Sequence, residues 1–212
     1  MKHLIIIGAS GFGRDIYEMA IDSVGYNVEY DIKGFLVHKE EYLGCLESYT
    51  SYPQILGTIY NYEIMPDDVF INSLGDLKTK KETTEYMLSK GAIFTSIIHK
   101  TAKVSPSTII GLGSIIEPFA FIGSGAKLGD HCLIQTSSIV GHDCIVGNFS
   151  RVDCNSVLTG GAIIGSETVI HTSAVINQKT HVGSNCVVGA CSFVIRKVKD
   201  GDTVYGNPAR KL

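Results

Sequence analysis

The sequence lacks the features that mark nucleic-acid-binding, secreted and membrane-spanning proteins. Its 18 Lys and Arg residues are interspersed with 21 Asp and Glu, for a formal net charge of −3, so neither nucleic acid nor an anionic membrane is an expected partner. No apolar run is long enough to span a bilayer, and the opening run Leu4–Ile7 is too short for a signal sequence. The simplest expectation is a cytoplasmic protein.

Cysteine spacing typical of a metal site is also missing. The six cysteines include no C-x-x-C pair, which argues against a structural zinc site. We therefore expect no bound metal.

What the sequence does contain is a six-residue repeat between Val104 and Val194, and a repeat outranks other sequence signals. An aliphatic residue occurs at every sixth position without a miss, and the following residue is Gly in half of the units. The fourth residue after each aliphatic, from Thr108 to Ser192, is always Thr, Ser, Ala or Cys. The sixteen aliphatic positions are 104, 110, 116, 122, 128, 134, 140, 146, 152, 158, 164, 170, 176, 182, 188 and 194.

This pattern predicts a parallel β-solenoid. A six-residue period drifts around a 3.6-residue helix, and Val, Ile, Ser and Thr favour strands. Each unit would form one short strand and one corner, with the aliphatic side chain inside and the small residue filling the crowded interior. Three units would close a coil, giving about five coils at a strand spacing of ~4.8 Å. Strands of a β-sandwich remain the alternative, although they would require period-two alternation.

The first hundred residues read as a small α/β domain. Residues 2–7 form an apolar strand, followed by the glycine turn Gly8-Ala9-Ser10-Gly11-Phe12-Gly13 and by apolar residues at helical spacing. Strand, glycine turn and helix open a nucleotide-binding unit, in which N–H groups at the helix start can face a phosphate. The G-x-x-G-x-G spacing differs from the dinucleotide pattern, so a nicotinamide cofactor is not expected. A tight turn without a ligand is the alternative.

Further elements of this domain are less sharply marked. Residues 32–37, 69–74 and 92–98 read as strands, and residues 79–89 read as a helix. Residues 39–66 read as a mixture of short helix and loop. The expected result is a mostly parallel sheet with a ligand site at the carboxyl ends of its first strands.

His142-Asp143 is the candidate catalytic pair. His142 falls two positions after the inward Val140, on a corner, where its imidazole should lie outside the solenoid. An imidazole can accept the proton of an attacking amine or hydroxyl, and a neighbouring carboxylate can fix its tautomer. Gly160 lies eighteen residues on, one coil away on the same face, where a free backbone N–H could hold a developing oxyanion. A glycine that only forms the corner is the alternative.

The chain resembles the sialic-acid O-acetyltransferase and nucleotide-amino-sugar N-acetyltransferase group (NeuD/PglD-type) of hexapeptide acyltransferases. The resemblance rests on the N-terminal glycine turn, about one hundred residues of α/β structure, uninterrupted hexapeptides and the segment from Val140 to Gly147. It implies a left-handed parallel β-helix, acetyl-CoA as co-substrate, a sugar or nucleotide-sugar acceptor for surface glycans, and a homotrimer with sites between adjacent solenoids.

The same resemblance assigns roles to individual residues. His142 is implied as the general base, with Asp143 orienting it and Gly160 binding the thioester carbonyl. Gln135 matches a position that contacts the sugar. The segment from Gly206 to Arg210 is similar to a C-terminal motif beside the acetyl-CoA site. Expected substrate-binding residues are Gly8, Ser10, Gly11, Gly13, Val37, His38 and Gln135, and expected cofactor-binding residues are Arg151, Gly160, Pro208 and Arg210.

The sequence departs from the group's pattern at three places. Val37-His38 stands where an acidic pair contacts uridine, Phe12 where a His often lies, and Arg151 where a second His lies near the acetyl group. An Arg cannot act as a base at neutral pH, so Arg151 would hold an anion or a carbonyl. The nucleotide and the choice between amine and hydroxyl acceptor therefore stay open.

The expected organisation is a Rossmann-like substrate domain over residues 1–100, a left-handed β-helix over 101–196, and a capping tail over 197–212. A non-catalytic sugar- or nucleotide-binding scaffold is one alternative. A metal-dependent hydratase is another, although its ligands would have to come from His131, His142, His171 and His181, which share no face of the predicted solenoid.

Overall fold

The computed structural model describes all residues from Met1 to Leu212. The chain divides into two compact units, Met1–Ile97 and Ile98–Leu212. No helix in either unit is both long and apolar enough to cross a membrane.

The first unit is a four-stranded parallel sheet with two helices. The strands lie in the order β3-β2-β1-β4, and the buried residues Ile5, Ile7, Leu36 and Phe70 belong to one apolar cluster. Such continuous apolar strands are typical of parallel sheets covered on both faces. The elements are β1 (Lys2–Ile7), α1 (Gly11–Ile21), β2 (Tyr30–Val37), a 3₁₀ turn (Glu40–Tyr42), β3 (Ile55–Thr58), β4 (Asp68–Asn72) and α2 (Leu77–Ser89).

Two expectations for this unit were wrong. Strand β3 lies within residues 39–66, where we expected only short helix and loop. Pro53 just before it and Gly57 within it obscured its apolar pattern. The strand expected at residues 92–98 is not continuous. Phe94 forms an isolated bridge with Phe70, and a separate two-residue strand begins at Ile97.

The second unit is the predicted parallel β-solenoid. Two-residue strands pair with strands eighteen residues away, as Lys127 pairs with Ile145 and with Ile109, so three units close each coil. The strands form three faces. Face 1 contains Ile97–Ile98, Ile115–Ile116, Leu133–Ile134, Arg151–Val152, Val169–Ile170, Val187–Val188, Thr203–Tyr205 and Arg210–Lys211. Face 2 contains Lys103–Val104, Phe121–Ile122, Ile139–Val140, Val157–Leu158, Val175–Ile176 and Phe193–Val194. Face 3 contains Ile109–Ile110, Lys127–Leu128, Ile145–Val146, Ile163–Ile164 and His181–Val182.

The solenoid core contains the two residue classes that the repeat singled out. Fourteen of the sixteen aliphatic positions are buried, and Val104 and Ile110 in the first coil pack against the same core. The small residues from Ser114 to Ser192 are buried too. Their hydroxyls bond carbonyls of neighbouring units, as Ser150 Oγ donates to Gly165 O at 2.7 Å. Small polar residues therefore fit the interior because hydroxyls such as those of Ser138, Ser156 and Thr168 also bond carbonyl groups.

Close approach between coils explains the recurring glycines. A β-carbon on Gly111 would stand 2.4 Å from the carbonyl carbon of Gly129 in the next coil. The left-handed backbone conformation instead occurs two residues later in each unit, at His131 (φ 57°) and Asp143 (φ 58°), for example. Non-glycine residues thus carry most of the corner strain.

The tail continues the solenoid after a change of spacing. The six-residue pattern ends at Val194, yet Val198 bridges Val182 and Val204 pairs with Val188. Both tail valines are buried in the solenoid core. Arg210–Lys211 then turns back antiparallel to Thr203–Tyr205.

Candidate active site

His142 lies at the corner between face 2 and face 3, two residues after the inward Val140. Its side chain is 61% exposed and that of Asp143 is 72% exposed. The left-handed backbone at Asp143 turns its carboxylate back, so that Oδ2 lies 2.8 Å from His142 Nδ1. Since a carboxylate can only accept, Nδ1–H donates and Nε2 carries the lone pair. This tautomer presents Nε2 as a proton acceptor.

Gly160 stacks one coil above His142. A β-carbon at Gly160 would stand 2.3 Å from His142 Nε2, so only glycine leaves room for the imidazole. The Gly160 N–H donates to no group of the chain, whereas at a matching corner position the Ser166 N–H donates to Ser184 Oγ. A proton acceptor and an unpaired backbone donor therefore lie side by side. We call the corner segments Gly141–Asp143 and Thr159–Gly161 the His142 edge.

Gln135 and Arg151 lie at a different place, at or beside the corner between face 1 and face 2. Arg151 Nε lies 2.6 Å from Asp153 Oδ1, and His171 Nδ1 lies 2.9 Å from Asp153 Oδ2. Gln135 contacts Cys154 Sγ at 3.7 Å. Asp153 and His171 were not predicted as a pair. Their eighteen-residue separation, one coil, was the available signal.

Pro208 and Arg210 lie in the exposed tail. Pro208 follows a cis peptide bond after Asn207, and Ala209 N donates to Phe193 O at 2.8 Å, which fixes this segment on the last strand of face 2. Arg210 is exposed, whereas the neighbouring Lys211 pairs with Asp202. The tail thus offers the Arg210 guanidinium for phosphate groups at the C-terminal end of the solenoid.

The first unit contains a separate pocket at the carboxyl ends of β1 and β2. Four expected residues line it, namely Gly8, Ser10, Val37 and His38. Helix α1 begins beside it, and its first N–H groups have no intrahelical partner. The remaining lining residues were not predicted and are Ala9, Tyr42, Cys45 and Leu74.

Gly11 and Gly13 do not line this pocket. A β-carbon on Gly13 would stand 2.1 Å from Gly8 O, so this glycine allows α1 to pack closely against the end of β1. Gly11 is the first residue of α1, and a β-carbon there would meet only Arg14 Nη2, at 3.9 Å.

His38 and Tyr42 form one wall of the pocket, with ring centroids 5.1 Å apart. Burial, with a smaller contribution from Lys39, lowers the pKa of His38 below its usual value. Burial also raises the pKa of the Cys45 thiol. The pocket is therefore bordered by uncharged groups at neutral pH, where an acidic pair would be charged.

No cluster of three or more His, Cys, Asp and Glu side chains has the geometry to hold a metal ion. All six cysteines are free thiols.

A parallel solenoid of six-residue units with an exposed imidazole–carboxylate pair at a corner defines the chain as a hexapeptide-repeat protein. No family model matches the sequence. A curated relative, UDP-N-acetylbacillosamine N-acetyltransferase from Bacillus subtilis, is 29% identical over 119 residues, which are 55% of this chain. The match spans about half of that relative's length, 51%.

Solved structures match the full chain. The acetyltransferase domain of PglB from Neisseria gonorrhoeae is 30% identical, with complete coverage of both chains and a TM-score of 0.89. PerB from Caulobacter crescentus, solved with CoA and GDP-perosamine, shares the fold at 21% identity and a TM-score of 0.87, over 100% of this chain and 98% of its own. The chain belongs to the NeuD/PglD-type hexapeptide-repeat sugar acetyltransferases.

Proposed function

We propose that the protein transfers the acetyl group of acetyl-CoA to an amino group of a nucleotide-linked sugar used in surface-glycan synthesis. The observation that carries this proposal is the arrangement of His142, Asp143 and Gly160. It combines an oriented proton acceptor with an unpaired backbone donor at a solvent-facing corner. The Neisseria gonorrhoeae PglB domain has been solved with acetyl coenzyme A, and the Bacillus subtilis relative is named for a UDP-linked acceptor.

In the proposed reaction, His142 Nε2 accepts a proton from the acceptor amine as its nitrogen attacks the thioester carbonyl. The carbon–sulfur bond breaks, the thiolate of CoA leaves, and the imidazolium can return the proton to it. Asp143 stabilises the imidazolium through Nδ1. The Gly160 N–H donates to the carbonyl oxygen as negative charge develops on it. No covalent enzyme intermediate is required.

The acyl donor is proposed to extend from Gly160 toward the C-terminal coils. Pro208 and Arg210 in the tail and Arg151 at the neighbouring corner are the residues assigned to it. The exposed guanidinium of Arg210 suits a phosphate. Gln135 is assigned to the acceptor sugar.

The first unit is proposed to act as a Rossmann-like domain that holds the nucleotide of the acceptor. Gly8, Ser10, Gly11 and Gly13 would provide backbone N–H groups or close approach for its phosphates. Val37 and His38 would contact the base. Because His38 is uncharged at neutral pH, base recognition here would use hydrogen bonds and stacking rather than a carboxylate.

The proposed assembly is a homotrimer of left-handed solenoids in the cytoplasm. The outward positions of face 2 are apolar in five consecutive coils, whereas those of face 3 are interrupted by Lys127 and His181. The five are Phe121, Ile139, Val157, Val175 and Phe193. Phe121 at 45% and Ile139 at 41% exposure support self-association through face 2. Such contiguous apolar exposure marks interaction surfaces.

The test is a thiol-release assay with acetyl-CoA against UDP-N-acetylbacillosamine, GDP-perosamine, free amino sugars and sialic acid. Turnover is expected with a nucleotide-linked amino sugar and not with its free sugar. If sialic acid were the only acceptor turned over, the acceptor group would be a hydroxyl and not the proposed amine. No turnover together with no CoA binding in calorimetry would contradict the proposal and favour a non-catalytic scaffold.

A further inference from the structure

The three corners of the solenoid differ in the residue that follows each inward aliphatic. At the corner after face 3 this residue is Gly in every coil, at 111, 129, 147, 165 and 183. At the corner after face 1 it is polar in five consecutive coils and becomes Gly only at 189. These five residues, which we call the polar column, are His99, Glu117, Gln135, Asp153 and His171. The fold therefore does not demand polar side chains at this position.

At its C-terminal end the polar column forms a group of three side chains, in which Asp153 and His171 join Arg151 from face 1. The Asp153 side chain is only 8% exposed, and its two oxygens contact Arg151 Nε at 2.6 Å, Arg151 Nη2 at 3.2 Å and His171 Nδ1 at 2.9 Å. The pairing with Arg151 compensates for burial of the carboxylate. Asp153 thus reaches a ligand only through its partners.

The backbone and Nδ1 of His171 are hydrogen-bonded within the chain, and only Nε2 is not. Its backbone N–H donates to Val188 O and its carbonyl accepts from Ser156 Oγ, both at 2.9 Å. Its Nδ1–H donates to Asp153, so Nε2 carries the lone pair. The side chain is 39% exposed, and Nε2 contacts no group of the chain. A fixed imidazole with one outward acceptor nitrogen is arranged to receive an N–H or O–H donor.

The polar column and the His142 edge flank the same apolar surface, face 2. The His142 edge has a base and a backbone donor, but it is built largely of glycine, including Gly141, Gly160 and Gly161, and offers few side chains for substrate. The polar column offers side chains and lacks that base. If copies surround an axis with face 2 inward, the polar column of each copy necessarily meets the His142 edge of the next.

Resting on the function and assembly proposed above, we infer that His171 of one copy completes the active site of its neighbour by accepting a hydrogen bond from an amide N–H of the pantetheine arm. The height of His171 along the solenoid axis favours the acyl donor, rather than the acceptor sugar, as its ligand. Copies related by an axis parallel to the solenoid share their heights. At ~4.8 Å per eighteen residues, His171 lies about 3 Å above Gly160 and about 8 Å above His142. It is therefore on the C-terminal side of the thioester, where the arm extends. Arg151 and Asp153 are positioning residues for this imidazole.

The first test compares His171→Asn with His171→Gln. Asn keeps a polar atom near Nδ1 and lacks one at Nε2, whereas Gln can place an oxygen near Nε2. For His171→Asn we expect the KM for acetyl-CoA to rise about ten-fold, the usual effect of one lost hydrogen bond, with kcat and the acceptor KM within two-fold of wild type. His171→Gln should recover most of the loss.

The donor and the control make this test specific. The KM of His171→Asn relative to that of wild type should rise by the same factor with acetyl-pantetheine, which keeps the amides and lacks the nucleotide phosphates. The dissociation constant for CoA, measured by calorimetry, should rise by that factor too. His3→Asn is the matched control, because His3 Nδ1 also lies 2.7 Å from a carboxylate, that of Asp31. An unchanged acetyl-CoA KM in an active His171→Asn enzyme would overturn this inference alone, whereas an inactive wild type would contradict the proposed function itself.

The second test asks whether His171 acts across copies. Differently tagged His142→Ala and His171→Asn chains are co-expressed and the mixed assembly is purified through both tags. In the mixed assembly, some sites combine His142 from a His171→Asn chain with His171 from a His142→Ala chain. Such sites contain both wild-type residues, so activity with the wild-type KM for acetyl-CoA should appear. If both residues served one site within a single chain, only the raised KM would be observed, and the assignment across copies would be wrong.

Discussion

His142 and Gly160 lie so close that a β-carbon on Gly160 would stand 2.3 Å from His142 Nε2. This contact between consecutive coils places the imidazole nitrogen beside the unpaired Gly160 N–H. It also makes glycine a requirement of the site rather than of the corner, because the equivalent positions in the two adjacent coils carry side chains, His142 and Gln178.

Replacing Gly160 with Ala should therefore displace the imidazole. We expect kcat to fall about 100-fold, since a displacement near 1 Å in a catalytic group has an effect of that size, with little change in the thermal midpoint. Gly75→Ala is the control, because a β-carbon there meets nothing within 4 Å. If Gly160→Ala kept the kcat of the wild type, catalysis would not depend on the position of His142 Nε2 seen in the structure.

The carboxylate of Asp143 should matter less than the imidazole. In Asp143→Asn the side chain can still contact His142 Nδ1, but it no longer stabilises an imidazolium. Because the pair is exposed and screened by water, we expect kcat to fall roughly ten-fold, with an unchanged acetyl-CoA KM. Steady-state kinetics on the purified variant measure this. A loss as large as that from removing His142 would mean that Asp143 has a role beyond orientation.

The solenoid was predictable because its constraints repeat. Each inward aliphatic and each small interior residue recurs every six positions, so the pattern persists even where a single unit is atypical. The strand Ile55–Thr58 was not predictable, because four residues between Pro53 and the Tyr-rich segment carry no period. The burial of Val198 and Val204 was missed for a related reason: the spacing changes from six to four at that point, and only the three-dimensional pairing reveals the continuation.

Only part of the candidate site was predictable from the sequence. The separation of His142 and Gly160 by eighteen residues placed them on one corner, so sequence sufficed to bring them together. Asp153 and His171 show the same separation, but Asp153 matched no motif and His171 was considered only as a possible metal ligand. The contact of Asp143 with His142 depends on a left-handed backbone conformation at Asp143. The residue type alone does not predict that conformation.

The inward aliphatic residues should dominate stability. Ile134→Ala removes a fully buried side chain from the solenoid core, so we expect a loss of about 2–5 kcal/mol in the free energy of unfolding. Val28→Ala, at an 81% exposed position, should change it by less than about 0.5 kcal/mol. Denaturant titration followed by circular dichroism compares the two. Equal effects would contradict the inward orientation of the repeat.

Self-association through face 2 should fail when a charge is placed on that face. Ile139 is outward-facing and 41% exposed, and Ile139→Lys would bring like charges together around the proposed axis. We expect a monomer by light scattering and loss of most activity. Val28→Lys, on the first unit, should leave the oligomer intact. A trimeric Ile139→Lys protein with wild-type activity would contradict the arrangement with face 2 inward.

His38 should make stability depend on pH. Burial lowers its pKa in the folded state, so the unfolded chain binds more protons as the pH falls past the usual histidine range. Its contribution is therefore fully present above about pH 6.5 and is lost as the pH falls further. His38→Gln should flatten the decline in thermal midpoint between pH 7 and pH 5. An identical decline in both proteins would show that His38 is not desolvated.

The central claim is that the exposed imidazole of His142 removes the proton of the acceptor. The most direct measurement is kcat for acetyl transfer by His142→Ala, followed by thiol release with the best acceptor found for the wild type. The account predicts a fall of about 10²- to 10⁴-fold, with acetyl-CoA still bound. A His142→Ala enzyme that keeps the kcat of the wild type would contradict it.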